Sequence, residues 1–306
     1  MADVAKAMTA KHKPVLLHES VEGLNIEKGK VYLDGTVGSG GHSARVADLF
    51  GDSVTIIGLD RDKDAIRRSD KVLRNLGAKF FLVNESFRNL DKVLEDLGIS
   101  SVDAILFDLG LSSDQFEESG RGFSFQRDEP LLMTMKEEPD ESDLTAAKIL
   151  NNFSESALEM ILKGFGEEKY SKRIAAEIVR TREVKPFKTT FDLVEAIGRA
   201  KPKNWRDKIH PATKTFQALR IATNEELTAL EEGLDKAWMD LSKGGRLAVI
   251  SFHSLEDRMV KNFFREKTTQ DKAKFINKKP VVPSEDEVKE NPRSRSAKLR
   301  IIEKNV

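Results

Sequence analysis

The chain has 306 residues with 51 basic and 51 acidic side chains, so its formal net charge is zero. Hydrophobic residues make up 39% and charged residues 33%, which excludes a collagen-like repeat and a chain too polar to bury a core. The absence of Cys excludes disulfides, thiolate catalysis and Cys-based zinc sites, and fits a reducing compartment.

Along the chain, Val31–Asp34 reads as a strand followed by helical spacing over 41–50, and Val54–Asp60 as a second strand with a helix over 62–76. Lys79–Val83 and a helix over 87–97 come next, then a fourth strand over Val102–Leu109. Strands and helices alternating in this way predict an α/β fold with a doubly wound, mostly parallel sheet. Its ligands gather beyond the carboxyl ends of the strands. After Asp114 the strand signals stop; an acidic stretch over Glu137–Asp143 leads into helical segments up to about residue 200. A long helix over 214–243 keeps Phe216, Leu219, Leu227, Leu230, Leu234, Trp238 and Leu241 on one face, Gly244-Gly245 ends it, and Arg246–Phe252 is a fifth strand. The resumed alternation predicts one discontinuous α/β domain, residues 1–115 and 213–306, with residues 116–212 as an inserted helical domain for substrate recognition. Two late β-rich runs, Phe275–Val282 and Ser296–Ile302, are expected to pair as a hairpin joined by a long polar loop.

No run approaches the ~18 consecutive apolar residues of a membrane helix, and Met1–Lys13 lacks the apolar block of a signal peptide. A cytoplasmic protein with no membrane partner is therefore expected. The neutral total hides an asymmetry, because residues 1–160 hold 19 basic and 29 acidic side chains while residues 161–306 hold 32 and 22. A polyanionic partner would use the basic half, and solvated helix faces would produce the same count; both readings stand. The basic residues concentrate in Lys169–Arg182, Arg199–Lys208 and Arg293-Ser294-Arg295. Arg forks there suit an RNA backbone.

The string Asp34-Gly35-Thr36-Val37-Gly38-Ser39-Gly40-Gly41-His42 follows the first strand and opens a helix. Glycines let the backbone turn tightly and approach a ligand, towards which the free amides of a helix start point. No Gly-Lys-Ser/Thr makes it a phosphate loop, and Ser43 stands where a dinucleotide fingerprint has its third Gly. An acid directly before the first Gly suits a methyl donor better than a pyrophosphate; a Gly-rich turn with no ligand is the plain alternative. Asp60 ends the second strand, 22 positions after Gly38, where a carboxylate can accept from both ribose hydroxyls of an adenosine moiety. Capping of the helix over 62–76, by Asp60 or by Asp62, is the alternative role. Asp108 leaves the fourth strand at the same edge and is a candidate acceptor for an amino group, or else a turn cap. His253 lies in Ser251-Phe252-His253-Ser254-Leu255-Glu256-Asp257-Arg258 and is a candidate substrate contact, although a cap formed by Ser254 with Asp257 accounts for half of that string. The five His show no ligand pairing on one helix, so no metal site is expected.

Six strings together are similar to the methyltransferase H family of bacterial small-subunit ribosomal RNA methyltransferases, over His12 to Lys304. They are the Gly loop from Asp34, Phe-Asp-Leu-Gly-Leu-Ser-Ser from Phe107, Arg-Gly-Phe-Ser-Phe from Arg121, His-Pro-Ala-Thr-Lys-Thr-Phe-Gln-Ala-Leu-Arg-Ile from His210, Ile-Ser-Phe-His-Ser-Leu-Glu-Asp-Arg from Ile250, and Asn-Pro-Arg-Ser-Arg-Ser from Asn291. The resemblance implies a class I methyltransferase fold with a helical insertion, S-adenosyl-L-methionine as cofactor, and N4 of a cytidine in the decoding region as target. The implied partner is small-subunit ribosomal RNA or the assembled 30S subunit; the oligomeric state stays open, a homodimer included. It further implies that Gly40, Gly41 and His42 line the methionine end of the cofactor, that Asp60 holds the ribose, and that Phe87, Asp108 and Gln115 surround the adenine and the reacting end. One region departs, because Glu129, Leu132, Thr134 and Lys136 stand where the family has Gly, Asp, Arg and Asp. On this reading Asp108, or a backbone carbonyl of residues 109–111, accepts an amino hydrogen, while Arg293, Arg295 and the insertion grip the RNA. A nicotinamide-dependent dehydrogenase and a non-catalytic ribosome-assembly factor are the competing classes.

Overall fold

The computed structural model describes residues 13–110, 119–136, 139–202 and 209–306. Seven strands form one sheet: β1 (Val31–Asp34), β2 (Thr55–Leu59), β3 (Lys79–Val83), β4 (Val102–Asp108), β5 (Leu241–Ser251), β6 (Ala273–Phe275) and β7 (Lys298–Lys304). Their order is β3-β2-β1-β4-β5-β7-β6, with β7 antiparallel to both neighbours and the other pairs parallel. Side chains alternate across a strand, so Leu33, Ile57, Ile105, Phe107, Leu247 and Val249 enter one core layer, and Tyr32, Ile56, Ala104, Leu106, Ala248 and Ile250 the other. Both faces are apolar, as buried parallel strands require.

Helices α1 (Leu17–Gly23), α2 (Gly41–Phe50) and α3 (Lys63–Asn75) cover the second layer through residues such as Val21, Val46 and Leu73. The first layer is covered by α4 (Leu90–Asp96), which the 3-10 turn Phe87–Asn89 precedes, and by two helices later in the chain. Between β4 and β5 come α5 (Ala146–Asn152), α6 (Glu155–Gly166), α7 (Ser171–Val184), α8 (Thr190–Ala200) and α9 (Thr213–Asn224). Ser154 caps α6 by accepting from the Ala157 amide at 3.2 Å, and Thr189 with Asp192 forms a capping box on α8. The remaining helices are α10 (Glu226–Asp240), α11 (Ser254–Thr269) and α12 (Glu285–Glu290). Leu230, Leu234 and Trp238 of α10 and Val260 and Phe264 of α11 complete the first layer. The chain divides into two compact units, Met1–Ser112 with Leu227–Val306, and Ser113–Glu226. Among the described residues no helix is long and apolar enough to cross a membrane.

Three expectations about elements change. The single helix expected over 214–243 is broken at Glu225, which takes φ 50°. The neighbouring Asn224 is buried; its amide donates to the carbonyls of Met133 (2.7 Å) and Arg220 (2.9 Å) and its oxygen accepts from the Met135 amide (2.8 Å). Gly244-Gly245 is not a helix stop either: α10 ends at Asp240, β5 starts at Leu241, and Gly244 takes φ 76° beside a register shift against β4. The late β-rich run over 275–282 reduces to β6 and one bridge between Val281 and Leu299. The link to β7 carries α12 and the 3-10 turn Pro292–Ser296 instead of a plain polar loop.

Candidate active site

β1 delivers Asp34 to the root of the Gly loop, where it is 1% exposed. Its carboxylate accepts from the Ser43 hydroxyl (2.8 Å), the Tyr32 hydroxyl (3.2 Å) and the Thr36 amide (3.3 Å). Burial outweighs these three donors and pushes the carboxyl from 3.8 up to about 6. The loop is tied to both neighbours of β1, since the Gly35 amide donates to the Leu106 carbonyl and the Val37 amide to the Leu59 carbonyl, each at 2.9 Å. Gly40 then takes φ 84° as the residue before α2, and a Cβ there would sit 3.1 Å from Ser69 Cβ. At Gly41 a Cβ would run into Pro14 Cγ, so close packing rather than a special dihedral requires that glycine.

Asp60 leaves β2 and is bound back to the loop. Its Oδ2 accepts from the Gly38 amide and its Oδ1 from the Asp62 amide, both at 2.9 Å. The cap of α3 is Asp62, which accepts from the Asp64 amide at 2.9 Å, so the capping role considered for Asp60 belongs to its neighbour. Each Asp60 oxygen retains acceptor capacity beyond its one amide. Burial pushes this carboxyl up to about 6 as well.

Asp108 ends β4 next to β1, at the point where the strand order reverses. Its amide donates to Thr36 Oγ1 at 2.6 Å, whereas its Oδ1 is buried with no hydrogen-bond partner among the described residues. Oδ2 lies 3.9 Å from Nδ1 of His42, a side chain that is 6% exposed. His42 Nε2 is 3.1 Å from the Val15 carbonyl. A carbonyl only accepts, so Nε2 carries a proton, and Nδ1 is the ring nitrogen turned towards Asp108. Burial, then the negative charges of Asp34 and Glu256, hold the Asp108 carboxyl well above the usual carboxylate range.

His253 caps α11. Its Nδ1 accepts from the Glu256 amide at 3.3 Å, and the Glu256 carboxylate accepts from the amides of Phe252 (2.8 Å) and His253 (3.3 Å). The expected cap by Ser254 with Asp257 is therefore displaced by one residue. Asp257 instead accepts from Arg300 Nε (2.7 Å) and Lys298 Nζ (3.0 Å), tying α11 to β7.

Gly38 and Asp60 are thus in direct contact, as are the loop and Asp108 through Thr36, with His42 beside Asp108. Phe87 packs its ring 4.7 Å from that of Phe107 and backs onto Gly35 and Gly233. Gln115 lies outside the described residues. Arg293 is half-buried and Arg295 exposed in the turn before β7. Because β7 is antiparallel, its first residue, Lys298, pairs with Ser251, so that turn enters at the carboxyl edge of the sheet. In the inserted unit several basic residues are engaged internally: Arg182 donates to the carbonyls of Leu150 (2.8 Å) and Phe153 (2.7 Å), and Arg199 joins Arg180 on Glu177. Two of the departing residues are likewise used locally, Glu129 accepting from the Gly122 amide (2.9 Å) and Lys136 pairing with Asp140 (2.8 Å) and Asp143 (2.7 Å). Sequence reasoning missed Tyr32, Thr36, Ser43 and Glu256. The one available signal was Ser43 itself, a small hydroxyl where a third Gly would stand, nine positions after an acid.

An antiparallel β7 between β5 and β6 sets this sheet apart from the 3-2-1-4-5-6 order of dinucleotide-binding domains. The profile of the MraW methylase family matches residues 9–305. The chain belongs to the MraW methylase family. Among MraW relatives, it is 45% identical over 312 residues to the Ribosomal RNA small subunit methyltransferase H of Carboxydothermus hydrogenoformans, covering 97% of this chain and 99% of that one. Proteins of the same name are 46% identical over 314 residues in Heliobacterium modesticaldum (97% and 99% covered) and 46% over 295 residues in Dictyoglomus thermophilum (96% and 96%). The methyl donor of this MraW methylase is S-adenosyl-L-methionine. The strand edge fits a nucleoside that carries a positive charge: carboxyls from three strands, Asp34, Asp60 and Asp108, converge on the loop, and Asp108 Oδ1 is uncompensated among the described residues. Arg68 reaches the loop at Ser39, with Nε 3.3 Å from the hydroxyl, but a pyrophosphate would face the three carboxyls.

Proposed function

We propose that this chain transfers the methyl group of S-adenosyl-L-methionine to N4 of a cytidine in the decoding region of small-subunit ribosomal RNA, presented as RNA or within the 30S subunit in the cytoplasm. The observation that carries the reading is the Asp108 carboxyl, an acceptor at the reversal point of the sheet with one oxygen uncompensated among the described residues. The 45% identity to proteins named for small-subunit ribosomal RNA supports the choice of substrate.

When bound, the cofactor supplies a methyl group already activated by its sulfonium, so no covalent adduct with the protein is needed. Asp60 accepts from the ribose hydroxyls with the lone pairs left free by Gly38 and Asp62. Gly38, Gly40 and Gly41 let the backbone approach, His42 flanks the methionine end, and Phe87 and Gln115 border the adenine. Cytosine N4 is a weak nucleophile because its lone pair is delocalised into the ring. Asp108 accepts one amino hydrogen and so concentrates that pair on nitrogen. In-line placement by these groups contributes most of the acceleration, up to about 7–11 kcal/mol. The target base leaves its stack to reach the sheet edge. Arg293 and Arg295 contact flanking phosphates, His253 borders the RNA at the same strand edge, and the inserted unit recognises the substrate.

The test is methyl transfer from labelled donor to 30S subunits and to naked RNA from cells lacking this chain, with the product mapped by mass spectrometry. N4-methylcytidine in the decoding region is expected. Label on another base overturns the target. Binding of the subunit without any transfer points to an assembly factor, and binding of NAD in place of S-adenosylmethionine to a dehydrogenase.

A further inference from the structure

Of the carboxyls at the strand edge, Asp34 is held by three donors and Asp60 by two backbone amides, so the surroundings of each are already arranged around its oxygens. Asp108 differs. Its Oδ1 has no donor among the described residues, and its Oδ2 lies 3.9 Å from Nδ1 of His42, beyond hydrogen-bond distance. Among the described residues the titratable groups around it are Asp34 and Tyr32 on β1, His42 on α2 and Glu256 on α11; the two carboxyls raise the cost of its charge, and none of the four is a Lys or Arg. A carboxylate in that setting is costly, whereas a neutral acid is not.

We infer that Asp108 switches its protonation with the charge of the ligand beside it, being a neutral acid in the free protein, a carboxylate when the sulfonium donor is bound, and an acid again once the methyl group has gone. The inference rests on the methyl-transfer reading and assigns the proton within it. As the N4 lone pair forms the new bond to carbon, the carbon–sulfur bond breaks with its pair staying on sulfur. One amino proton passes from N4 to the Asp108 carboxylate. A neutral thioether, a neutral methylated base and a neutral acid remain, so the carboxylate loses its charge in the step in which its cationic partner disappears. The pocket consequently distinguishes donor from spent donor by charge, and product release is favoured while Asp108 keeps the proton.

Calorimetry of the full chain at neutral pH, in two buffers of different ionisation enthalpy, counts the protons released with S-adenosylmethionine and with S-adenosylhomocysteine. Release approaching one proton is expected for the sulfonium and none for the thioether. Asp108→Asn should bind the thioether and release no proton with either ligand. Equal proton counts for the two ligands, or release that persists in Asp108→Asn, overturns the inference. Should that variant fail to fold, the wild-type protein decides. Its affinity for the sulfonium relative to the thioether should rise with pH by up to about tenfold per pH unit below the Asp108 midpoint, and a flat ratio refutes the switch. Absence of binding by both ligands to folded protein instead brings down the cofactor assignment, so the two failures are separable.

Discussion

Replacing Asp34 by Asn measures what an acid at the root of the Gly loop costs the fold. The native carboxyl is pushed from 3.8 to about 6 by burial, and at 1% exposure solvent screening is negligible. A displacement of that size corresponds to about 3 kcal/mol, at ~1.4 kcal/mol per pH unit. The raised value means that the native state holds the proton more tightly than the unfolded chain. Below the unfolded value of 3.8 both states are protonated and the group costs nothing in ionisation; as pH rises through about 6, stability is lost. Asn has no proton to lose. It also alters the bonds to Ser43, Tyr32 and Thr36; the part of their strength that depends on ionisation is already contained in the native value of about 6, and the remainder is the same at every pH. The free energy of unfolding of Asp34→Asn minus that of wild type should therefore become more positive by about 3 kcal/mol between pH ~3.5 and ~7.5. Urea titrations of both proteins at several pH values, with the slopes compared, provide the measurement. A difference that does not vary with pH would refute the claim that burial, and not the three donors, dominates at Asp34.

Three further outcomes follow from the geometry. Gly40→Ala places a Cβ at φ 84° against Ser69 and should cost about 1–2 kcal/mol in backbone strain alone, together with weaker cofactor binding; an unchanged denaturation midpoint contradicts this. Asp257→Ala leaves Arg300, whose side chain is 9% exposed, without its carboxylate, and should destabilise by about 3–5 kcal/mol in the same assay. Arg300 and Lys298 hold the Asp257 carboxyl below its ordinary value, so the wild-type contribution should persist at neutral pH and fade only on acidification; a loss near pH 7 would argue against the pair. Arg293→Ala and Arg295→Ala should each lower the slope of log affinity for RNA against log salt by about one, and an unaltered slope removes them from the phosphate contacts.

Much of the α/β unit was legible because its signals are local. Short β-rich runs marked β1 to β4, and helical spacing marked α2 and α3. The Gly loop and Asp60 could be placed at one edge because right-handed crossovers bring successive strand ends together. The inserted helices also announced themselves, through apolar spacing and the end of strand signals. Where the reading failed, the deciding partner lay far away in the chain. An apolar stripe runs unbroken through residue 225, yet the helix stops there because Asn224 is captured by a carbonyl 91 positions earlier. Gly244-Gly245 has the composition of a helix end, but pairing of Leu241 with Val102 draws that segment into the sheet.

At the site the division is similar. The sequence by itself determined which residue types stand at the strand ends, since strand, turn and helix there occupy consecutive positions and each obeys short-range rules. Only the tertiary structure decided what those residues do to one another. Asp62 takes the cap and leaves Asp60 to the loop, and His253 rather than Ser254 caps α11. Asp34 is enclosed by donors, while Asp108 Oδ1 meets none among the described residues. The cost of a charge depends on the solvent and donors removed from around it, and that enclosure comes from strands and helices that meet only when the sheet has closed.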